Sequence, residues 1–427
     1  MGTIPFFSPD PELFREFAAL LPADLAEYFD LAHLDTPARA NEFLSLEFPE
    51  LVVIDFRDPA AGGMEILAHL RSDPWMLSCG ILTIQQRVNT AAEVPELQAA
   101  NFLVGLPQGR LADLVPRILR ILHQNAGMLV QRFVALDLAA TLVDQFSIEN
   151  EPLVAMCHAN MIVNYLYNLH RISDKTKLEL TLVFTELMQN AIEHGNCGIS
   201  YAEKTAWLEN GGDIQELIDR RCEDPAIASR RVRFEYEVTA PFTSFLIADE
   251  GAGFDWQNRL EGSEGGTGLQ LHGRGLQMVK QLVQDLEFNE PGNEVRFKVP
   301  HQIAVANMAP GLFRNRCPIV FTPGETVFRE GEPSDSLYYI MKGRFSVNVH
   351  GKTVATLGPA DLFVGEMSFL LNRRRTATVT AETAGSLLSI SRREFVEAIR
   401  EKPQYALVLS RLLAQRLERQ NQHRADV

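Results

Sequence analysis

"TELMQNAIEHGN", residues Thr185–Asn196, is the most informative segment of this chain. Apolar residues recur along one side of it, which predicts a helix that ends at Gly195. On that helix Glu186, Asn190 and His194 are four residues apart, so they form one polar stripe with a turn between neighbours. Such a stripe beside an apolar face indicates either a solvated helix surface or one wall of a binding site.

The composition of the chain is that of an ordinary globular protein. Its 427 residues are 46% hydrophobic, and this length predicts about three domains. The net charge of −15 gives no general attraction to nucleic acid. Five scattered cysteines without a CxxC pair favour a reducing compartment over a disulfide framework or a zinc site. With no signal-peptide pattern and no apolar run of ~18 residues, we expect a cytoplasmic protein without a membrane span.

Residues 1–124 alternate between short apolar runs and helical patterns. The runs are "LVVIDF" (Leu51–Phe56), "GILTI" (Gly80–Ile84) and "NFLVGL" (Asn101–Leu106). This alternation predicts an α/β domain with a doubly wound parallel sheet. In such sheets the chemistry lies at the carboxyl ends of the strands, where Asp55 and Thr83 would stand.

The same segment resembles a response-regulator receiver domain, with Asp55 in the phosphoacceptor position and Thr83 as the switch hydroxyl. The acids that hold magnesium in that family would fall near Ser8 and Pro9, and its lysine would fall at Gly105. Because phosphoryl transfer needs a metal ion to screen the phosphoryl oxygens, we expect a degenerate receiver that binds a partner. Asp55 remains either a possible phosphoacceptor or a strand-end aspartate kept by the fold.

Residues 125–302 begin with a heptad-like pattern and continue as a predicted α+β domain. The pattern is Leu129, Phe133, Leu136, Ala140 and Val143. It predicts a helix that either forms a homodimer or packs on its own domain. Helical patterns then lead into alternating strand runs, which predicts helices on one face of a mixed or antiparallel sheet. Cys197–Ser229 is longer than a usual connection and predicts an inserted helical hairpin.

Two later motifs supply glycines close to polar groups. "ADEGAGFDW" places Asp249 at a strand end, and Gly251 and Gly253 let backbone approach a ligand without Cβ atoms in the way. In "HGRGLQMVKQLV" a helical pattern follows Gly273 and Gly275, and the free N–H groups of a helix start can bind phosphate. Together with the polar stripe, these motifs offer enough groups to bind Mg²⁺, adenine and phosphates.

The order of these motifs resembles the GHKL (Bergerat) ATPase superfamily, and within it the anti-sigma-factor serine kinases. The resemblance implies that Asn190 binds Mg²⁺, that Asp249 contacts the adenine amino group and that Glu186 is the catalytic general base. The glycines would shape the loop and flank the phosphates of ATP: Gly251, Gly253, Gly273 and Gly275. The run "EGGTGLQL", which ends at Leu271, also resembles a histidine-kinase glycine box, so which glycines contact phosphate stays open.

Residues 303–427 predict a β-roll with flanking helices, because glycines punctuate short alternating runs. "GEMSFLLNRRRTATV" (Gly365–Val379) resembles the phosphate-binding cassette of cyclic-nucleotide-binding domains. The resemblance implies that Glu366 binds the ribose 2′-hydroxyl and that Arg375 pairs with the cyclic phosphate of cAMP or cGMP. Thr376 gives a weak indication of cGMP. Other cassette positions are Gly365, Met367, Ser368 and Ala377.

Together these features predict a signalling protein in three parts, in which cyclic nucleotide regulates an ATP-dependent serine/threonine kinase module. Its substrate would be a protein that resembles an anti-sigma-factor antagonist. One alternative is a histidine kinase, for which His158 and His170 are the candidate phosphoacceptors, although neither lies in the motif of that family. The other alternative is a non-catalytic switch that binds both nucleotides and a partner.

Overall fold

The computed structural model describes residues 3–73, 75–86, 94–129, 142–254, 256, 274–302, 307, 309–313 and 315–425. Within these ranges the chain forms a parallel sheet, an antiparallel sheet covered by helices, and a β-roll. The predicted fold class is confirmed. None of the helices in the described ranges has both the length and the apolar character needed to cross a bilayer.

The N-terminal sheet has the order β2-β1-β3-β4-β5, and every neighbouring pair is parallel. Its strands are β1 (Thr3–Phe7), β2 (Asp30–Leu34), β3 (Leu51–Asp55), β4 (Gly80–Gln85) and β5 (Phe102–Pro107). Its helices are α1 (Pro11–Ala19), α2 (Pro37–Glu47), α3 (Gly63–Leu70), α4 (Pro95–Gln98) and α5 (Leu111–Gln124). The strands β3 and β4 are apolar runs because both of their faces are buried.

The middle unit packs helices on an antiparallel sheet of order β6-β7-β8-β10-β9. Its strands are β6 (Leu142–Ile148), β7 (Val232–Val238), β8 (Phe242–Ala248), β9 (Gln284–Phe288) and β10 (Glu294–Pro300). Its helices are α6 (Pro152–Asn168), α7 (Asp174–Gln189), α8 (Tyr201–Glu209), α9 (Ile214–Arg221), α10 (Pro225–Ala228) and α11 (Arg274–Leu282). The helix α7 continues as wider π-helical turns over Asn190–Asn196, and α8 to α10 form the predicted insertion.

The heptad-like prediction is wrong at its C-terminal end. Val143 lies in the strand β6, where it pairs with Glu237 of β7 and is 65% exposed. The sequence of β6 also has a period of two, with Phe146 and Ile148 buried, and pairing with β7 selects that period over the helical one. Leu129 follows a 3₁₀ turn, and the three pattern positions between residues 130 and 141 lie outside the described ranges.

The C-terminal unit is a roll of two four-stranded sheets, β11-β18-β13-β16 and β12-β17-β14-β15. Its strands are β11 (Ile319–Phe321), β12 (Thr326–Phe328), β13 (Ser336–Lys342), β14 (Phe345–Val349), β15 (Lys352–Leu357), β16 (Phe363–Val364), β17 (Thr378–Ala381) and β18 (Gly385–Ser391). Its helices are α12 (Glu366–Leu370), α13 (Arg392–Glu401) and α14 (Gln404–Ala425). Ser391 and Glu394 form a capping box at the start of α13.

A stripe of asparagines on α6 joins the middle unit to the edge strand β5. These asparagines are four residues apart, so they lie on one face of the helix. Their side-chain amides form hydrogen bonds with residues at the start of β5. The hydrogen bonds are Asn160 Nδ2 to Leu103 O (2.9 Å), Asn164 Nδ2 to Phe102 O (3.0 Å) and Asn101 Nδ2 to Asn168 Oδ1 (2.9 Å). Lys177 Nζ donates to Ala100 O at 2.8 Å. One hydrophobic core therefore runs through both units.

Asp73, in the connection between α3 and β4, joins the N-terminal sheet to the C-terminal unit. Its carboxylate is fully buried and accepts hydrogen bonds from Gly311 N (2.8 Å), Lys402 Nζ (2.9 Å) and Tyr405 Oη (2.9 Å). Trp75 packs its ring edge against Tyr405. The N-terminal sheet therefore lies between the other two units.

Removing the cation from Asp73 should destabilise the chain. We expect Lys402→Met to lower the free energy of unfolding by about 2 kcal/mol, because a buried carboxylate loses its ion-pair partner. The matched control is Lys298→Met, because Lys298 pairs with Asp285 in an exposed position (side chains 43% and 59% exposed) and should contribute less than about 0.5 kcal/mol. Urea denaturation compares the two variants, and equal losses would contradict the structural role of Asp73.

Candidate functional site

A cavity of about 280 Å³ lies between the end of α7, the end of β8, the strand β10 and the start of α11. Its polar lining includes Asn190, His194, Asp249 and Asn293. Its apolar lining includes Leu187, Ile247, Leu276, Phe288 and Val295. An apolar cavity with a few convergent polar groups is the usual form of a small-molecule site.

The polar stripe of the opening segment faces this cavity in part. Asn190 and His194 line the cavity, whereas Glu186 lies one turn earlier and is outside the lining. A hydrogen bond connects Glu186 to the cavity wall, because Asn190 Nδ2 donates to Glu186 Oε1 at 2.9 Å. The carboxylate of Glu186 is therefore held beside the cavity.

Asp249 follows β8, and its carboxylate packs directly on the Cα of Gly195. A Cβ atom at Gly195 would lie 2.3 Å from Asp249 Cγ, so a larger residue there would displace this carboxylate. Gly251 N donates to Asp249 Oδ1 at 2.9 Å. Burial is the main cause that raises the pKa of Asp249 to about 6. The sequence analysis treated Gly195 only as the end of a helix, and its contact with Asp249 makes it a site residue as well.

The loop after Asp249 requires its glycines for close backbone contacts. A Cβ atom at Gly251 would lie 2.2 Å from Gly195 O, and one at Gly253 would lie 1.9 Å from Pro291 O. Gly253 also has a φ of +79°, which favours glycine. Asn293 Nδ2 donates to two carbonyls of this loop at 3.2 and 3.3 Å. Asn293 was missed, although the turn-forming "PGN" before β10 pointed to it.

The glycine-helix junction is described in part. Gly275 lies in the first turn of α11, and the next residue, Leu276, lines the cavity. Gly273 and the "EGGTGLQL" run lie outside the described residues.

The residues at the cavity fit ATP and Mg²⁺ by their chemistry. Asn190 offers a hard oxygen atom of the kind that Mg²⁺ prefers. No cluster of three or more His, Cys, Asp or Glu residues suited to a metal ion occurs among the described residues. A magnesium ion at Asn190 would therefore take further ligands from phosphate oxygens and water, as this ion commonly does.

The second predicted site surrounds Arg375, which is 4% exposed. Its Nη1 donates to Gly365 O (3.2 Å) and to Ser368 Oγ (3.3 Å), and its Nη2 donates to Ser336 O (2.6 Å). Its Nε is buried and has no hydrogen-bond partner in the described part of the chain. Burial is the main cause that lowers the pKa of Arg375. A buried guanidinium with an unpaired N–H fits an anionic ligand such as a cyclic phosphate.

The neighbours of Arg375 differ sharply in exposure. Glu366 and Ser368 are buried with it, and Gly365 starts α12 at a φ of +83°. Ala377 is buried as well, whereas Met367 and Thr376 are exposed. The preceding arginines, Arg373 and Arg374, are exposed, so only the third arginine of the run points into the roll.

Asp55 lies at the carboxyl end of β3, where its carboxylate is already paired. It accepts hydrogen bonds from Ser8 Oγ (2.7 Å) and from Arg57 Nη2 (2.9 Å). The contact with Asp55 is the main cause that raises the pKa of Arg57. Thr83 accepts a hydrogen bond from Gln85 Nε2. An arginine of the chain therefore neutralises Asp55, which favours a structural role for this aspartate.

Comparison with known proteins identifies two parts of the chain. Residues 153–299 match the histidine kinase-like ATPase domain, and residues 318–402 match the cyclic nucleotide-binding domain. The chain is 35% identical over 115 residues to the CRP-like cAMP-activated global transcriptional regulator of Mycobacterium tuberculosis (26% of this chain, 51% of that protein). It is 34% identical over 116 residues to the cyclic AMP receptor protein of Thermus thermophilus (26% and 52%). The Thermus thermophilus catabolite activator protein aligns with a TM-score of 0.24 and 28% identity over 26% of this chain and 60% of that chain.

The chain therefore contains a histidine-kinase-like ATPase domain and a cyclic nucleotide-binding domain, as the sequence predicted. It spans about half the length of the two bacterial relatives named above. Both matched ranges follow the N-terminal parallel sheet, for which the likeness to a receiver stays a prediction.

The raised pKa of Asp249 predicts that its charge destabilises the fold. The folded pKa of about 6 lies above the ordinary value of 3.8, so the penalty is absent below pH 3.8, grows between the two values and is complete above pH 6. We expect Asp249→Asn to raise the free energy of unfolding by about 2 kcal/mol at pH 8 and by less at pH 5. Thermal unfolding at both pH values measures this, with Asp285→Asn as an exposed control. A loss of stability at pH 8 would contradict it.

Proposed function

We propose that this protein is a signalling kinase in which a cyclic nucleotide controls the transfer of the γ-phosphoryl group of ATP to a serine or threonine of a partner protein. The observation that carries the proposal is the single cavity lined by Asn190 and Asp249, with Glu186 hydrogen-bonded at its side. The likeness to anti-sigma-factor serine kinases suggests a partner that resembles an anti-sigma-factor antagonist.

We assign the roles of the residues from the resemblance to these kinases, and their positions around the cavity are compatible with that assignment. Asp249 accepts a hydrogen bond from the adenine amino group, and the apolar walls cover the faces of the base. Asn190 would hold Mg²⁺ through its side-chain oxygen, and the bound ion would supply charge neutralisation at the phosphate oxygens. Glu186 takes the proton from the attacking hydroxyl, which must reach hydrogen-bond distance of its carboxylate. The first turn of α11, with Gly275, offers backbone N–H groups to the phosphates.

Regulation by cyclic nucleotide is supported by the position of the N-terminal sheet. Tyr405, at the start of the last helix, contacts Asp73 before β4. The next strand, β5, begins shortly after Ala100. The carbonyl of Ala100 accepts a hydrogen bond from Lys177 on α7. The same helix ends at the cavity with Asn190. A change of α14 on nucleotide binding therefore has a packed route to the ATP site, and a coupling of about 1–3 kcal/mol is typical of such systems.

The alternative of a histidine kinase is disfavoured by the environment of His158. This residue is 7% exposed and packs on the ring of Phe146. Burial lowers its pKa to about 4. The other candidate, His170, lies in the short turn between α6 and α7 and has a positive φ, so it is not on a helix face.

Phosphoryl transfer is tested by incubating the protein and an anti-sigma-factor-antagonist-like protein with γ-labelled ATP. We expect acid-stable label on the partner, and a loss of at least about 100-fold in rate for Glu186→Gln because the general base is removed. Acid-labile label on the chain itself would indicate a histidine kinase. ATP binding without any label would indicate the non-catalytic switch.

Nucleotide binding is tested by calorimetry with the same preparations. We expect Asn190→Ala to weaken Mg-ATP binding about tenfold or more, because it removes the side-chain oxygen that binds the metal, and Asn190→Asp, which keeps an oxygen there, to weaken it less. Unchanged Mg-ATP binding by Asn190→Ala would show that the metal position is wrong.

Cyclic nucleotide binding is tested with Arg375→Ala, for which Arg373→Ala is the matched control. We expect only Arg375→Ala to lose binding of cAMP and cGMP, because Arg373 is exposed and Arg375 is buried beside Ser368. In the wild type, saturating cyclic nucleotide should change the Kd for ATP by about 5–150-fold, and ATP should change the Kd for cyclic nucleotide by the same factor. Independent binding of the two ligands would contradict regulation.

A further inference from the structure

The helical insertion contributes a tyrosine to the ATP cavity. Tyr201 is the first residue of α8, after its N-cap Ser200, and both residues line the cavity with Asn190. The ring of Tyr201 lies on the ring of His194, with centroids 3.8 Å apart. His194 in turn is fixed, because its Nδ1 donates to the carbonyl of Ile199.

The hydroxyl of Tyr201 contacts the atom of Asn190 that a metal ion would use. Tyr201 Oη donates to Asn190 Oδ1 at 3.4 Å. Glu186 sets the orientation of the Asn190 amide, because Nδ2 must face the carboxylate that accepts its hydrogen bond. The only oxygen that Asn190 can offer to Mg²⁺ is therefore the oxygen that receives the tyrosine hydroxyl.

One ion pair holds the insertion against the π-helical turns that follow α7, and a second connects two helices of the insertion. Lys204 of α8 pairs with Glu193, whose side chain is 2% exposed, in the π-helical turns between Asn190 and Asn196. Arg221 of α9 donates to both carboxylate oxygens of Glu203 at 2.7 Å. Because α8 is anchored to the π-helical turns that begin with Asn190, Tyr201 stays beside Asn190 unless its side chain rotates.

We propose that Tyr201 is a positioning residue of the ATP site, which competes with Mg²⁺ for Asn190 Oδ1. Its hydroxyl donates to this oxygen, so a metal ion that bound the same oxygen would weaken or displace that hydrogen bond. The insertion thereby weakens the preference of the site for Mg-ATP over metal-free ATP. This inference rests on the proposed ATP binding and on the proposed metal position.

The test is Tyr201→Phe, which keeps the ring on His194 and removes only the hydroxyl. The quantity to measure is the Kd for ATP in EDTA divided by the Kd for ATP in excess Mg²⁺, by calorimetry on the full chain. We expect this ratio to rise about three- to tenfold in Tyr201→Phe, the size of effect of one neutral hydrogen bond. The Kd in EDTA should stay within about twofold of the wild-type value.

The matched control is Tyr28→Phe, because Tyr28 also packs on a histidine ring (His123, 4.3 Å) but lies in the N-terminal unit. Its ratio should equal that of the wild type. An unchanged or lower ratio in Tyr201→Phe, with ATP binding intact, would overturn this inference alone. If the wild type binds no ATP under either condition, the proposed function fails and the inference fails with it.

Discussion

The edge of the N-terminal sheet is the constraint on which the arrangement of the three units depends. Strand β5 is the last in the order, so its outer backbone groups need partners. The asparagines of α6 supply them, and Lys177 adds its ammonium to the carbonyl of Ala100. If the two units shifted relative to each other and no water entered, the buried amides and the ammonium group would lose their hydrogen-bond partners. The sheet and the ATPase domain therefore share one core and one fixed register.

On the side of the sheet covered by α2 and α3, the hydrophobic core continues into the C-terminal unit. Its apolar residues, with Trp75, join a core that continues into Tyr405 and the last helix. The carboxylate of Asp73 is fully buried in this contact, and Lys402 balances its charge. A sheet packed on both faces is a stiff connection, because displacement on one side disturbs buried groups on the other. This stiffness is the physical basis of the proposed coupling between the two nucleotide-binding domains.

Both proposed ligand sites keep an ionisable group in an unfavourable environment. Burial removes water from Asp249, and this effect outweighs the attraction of Arg230, so its pKa is raised. Arg375 is buried with one N–H unpaired among the described residues, and its pKa is lowered. Groups held in this way are typical of binding sites, since the ligand supplies the missing partner. Asp55 is the contrast, because Arg57 and Ser8 already satisfy it.

The sequence by itself determined the apolar strands, the helical faces and the acid-glycine motifs, because each depends on neighbours a few residues apart. It therefore predicted the three fold types and brought Asn190, Asp249 and Arg375 forward as site residues. Only the tertiary structure decided that Val143 lies in a strand, since pairing with β7 outweighs a helical period. It also decided the partners of the α6 asparagines and of Tyr201. The sequence shows that a polar stripe or a tyrosine is present, but only the packing of the folded chain decides which atoms these side chains contact.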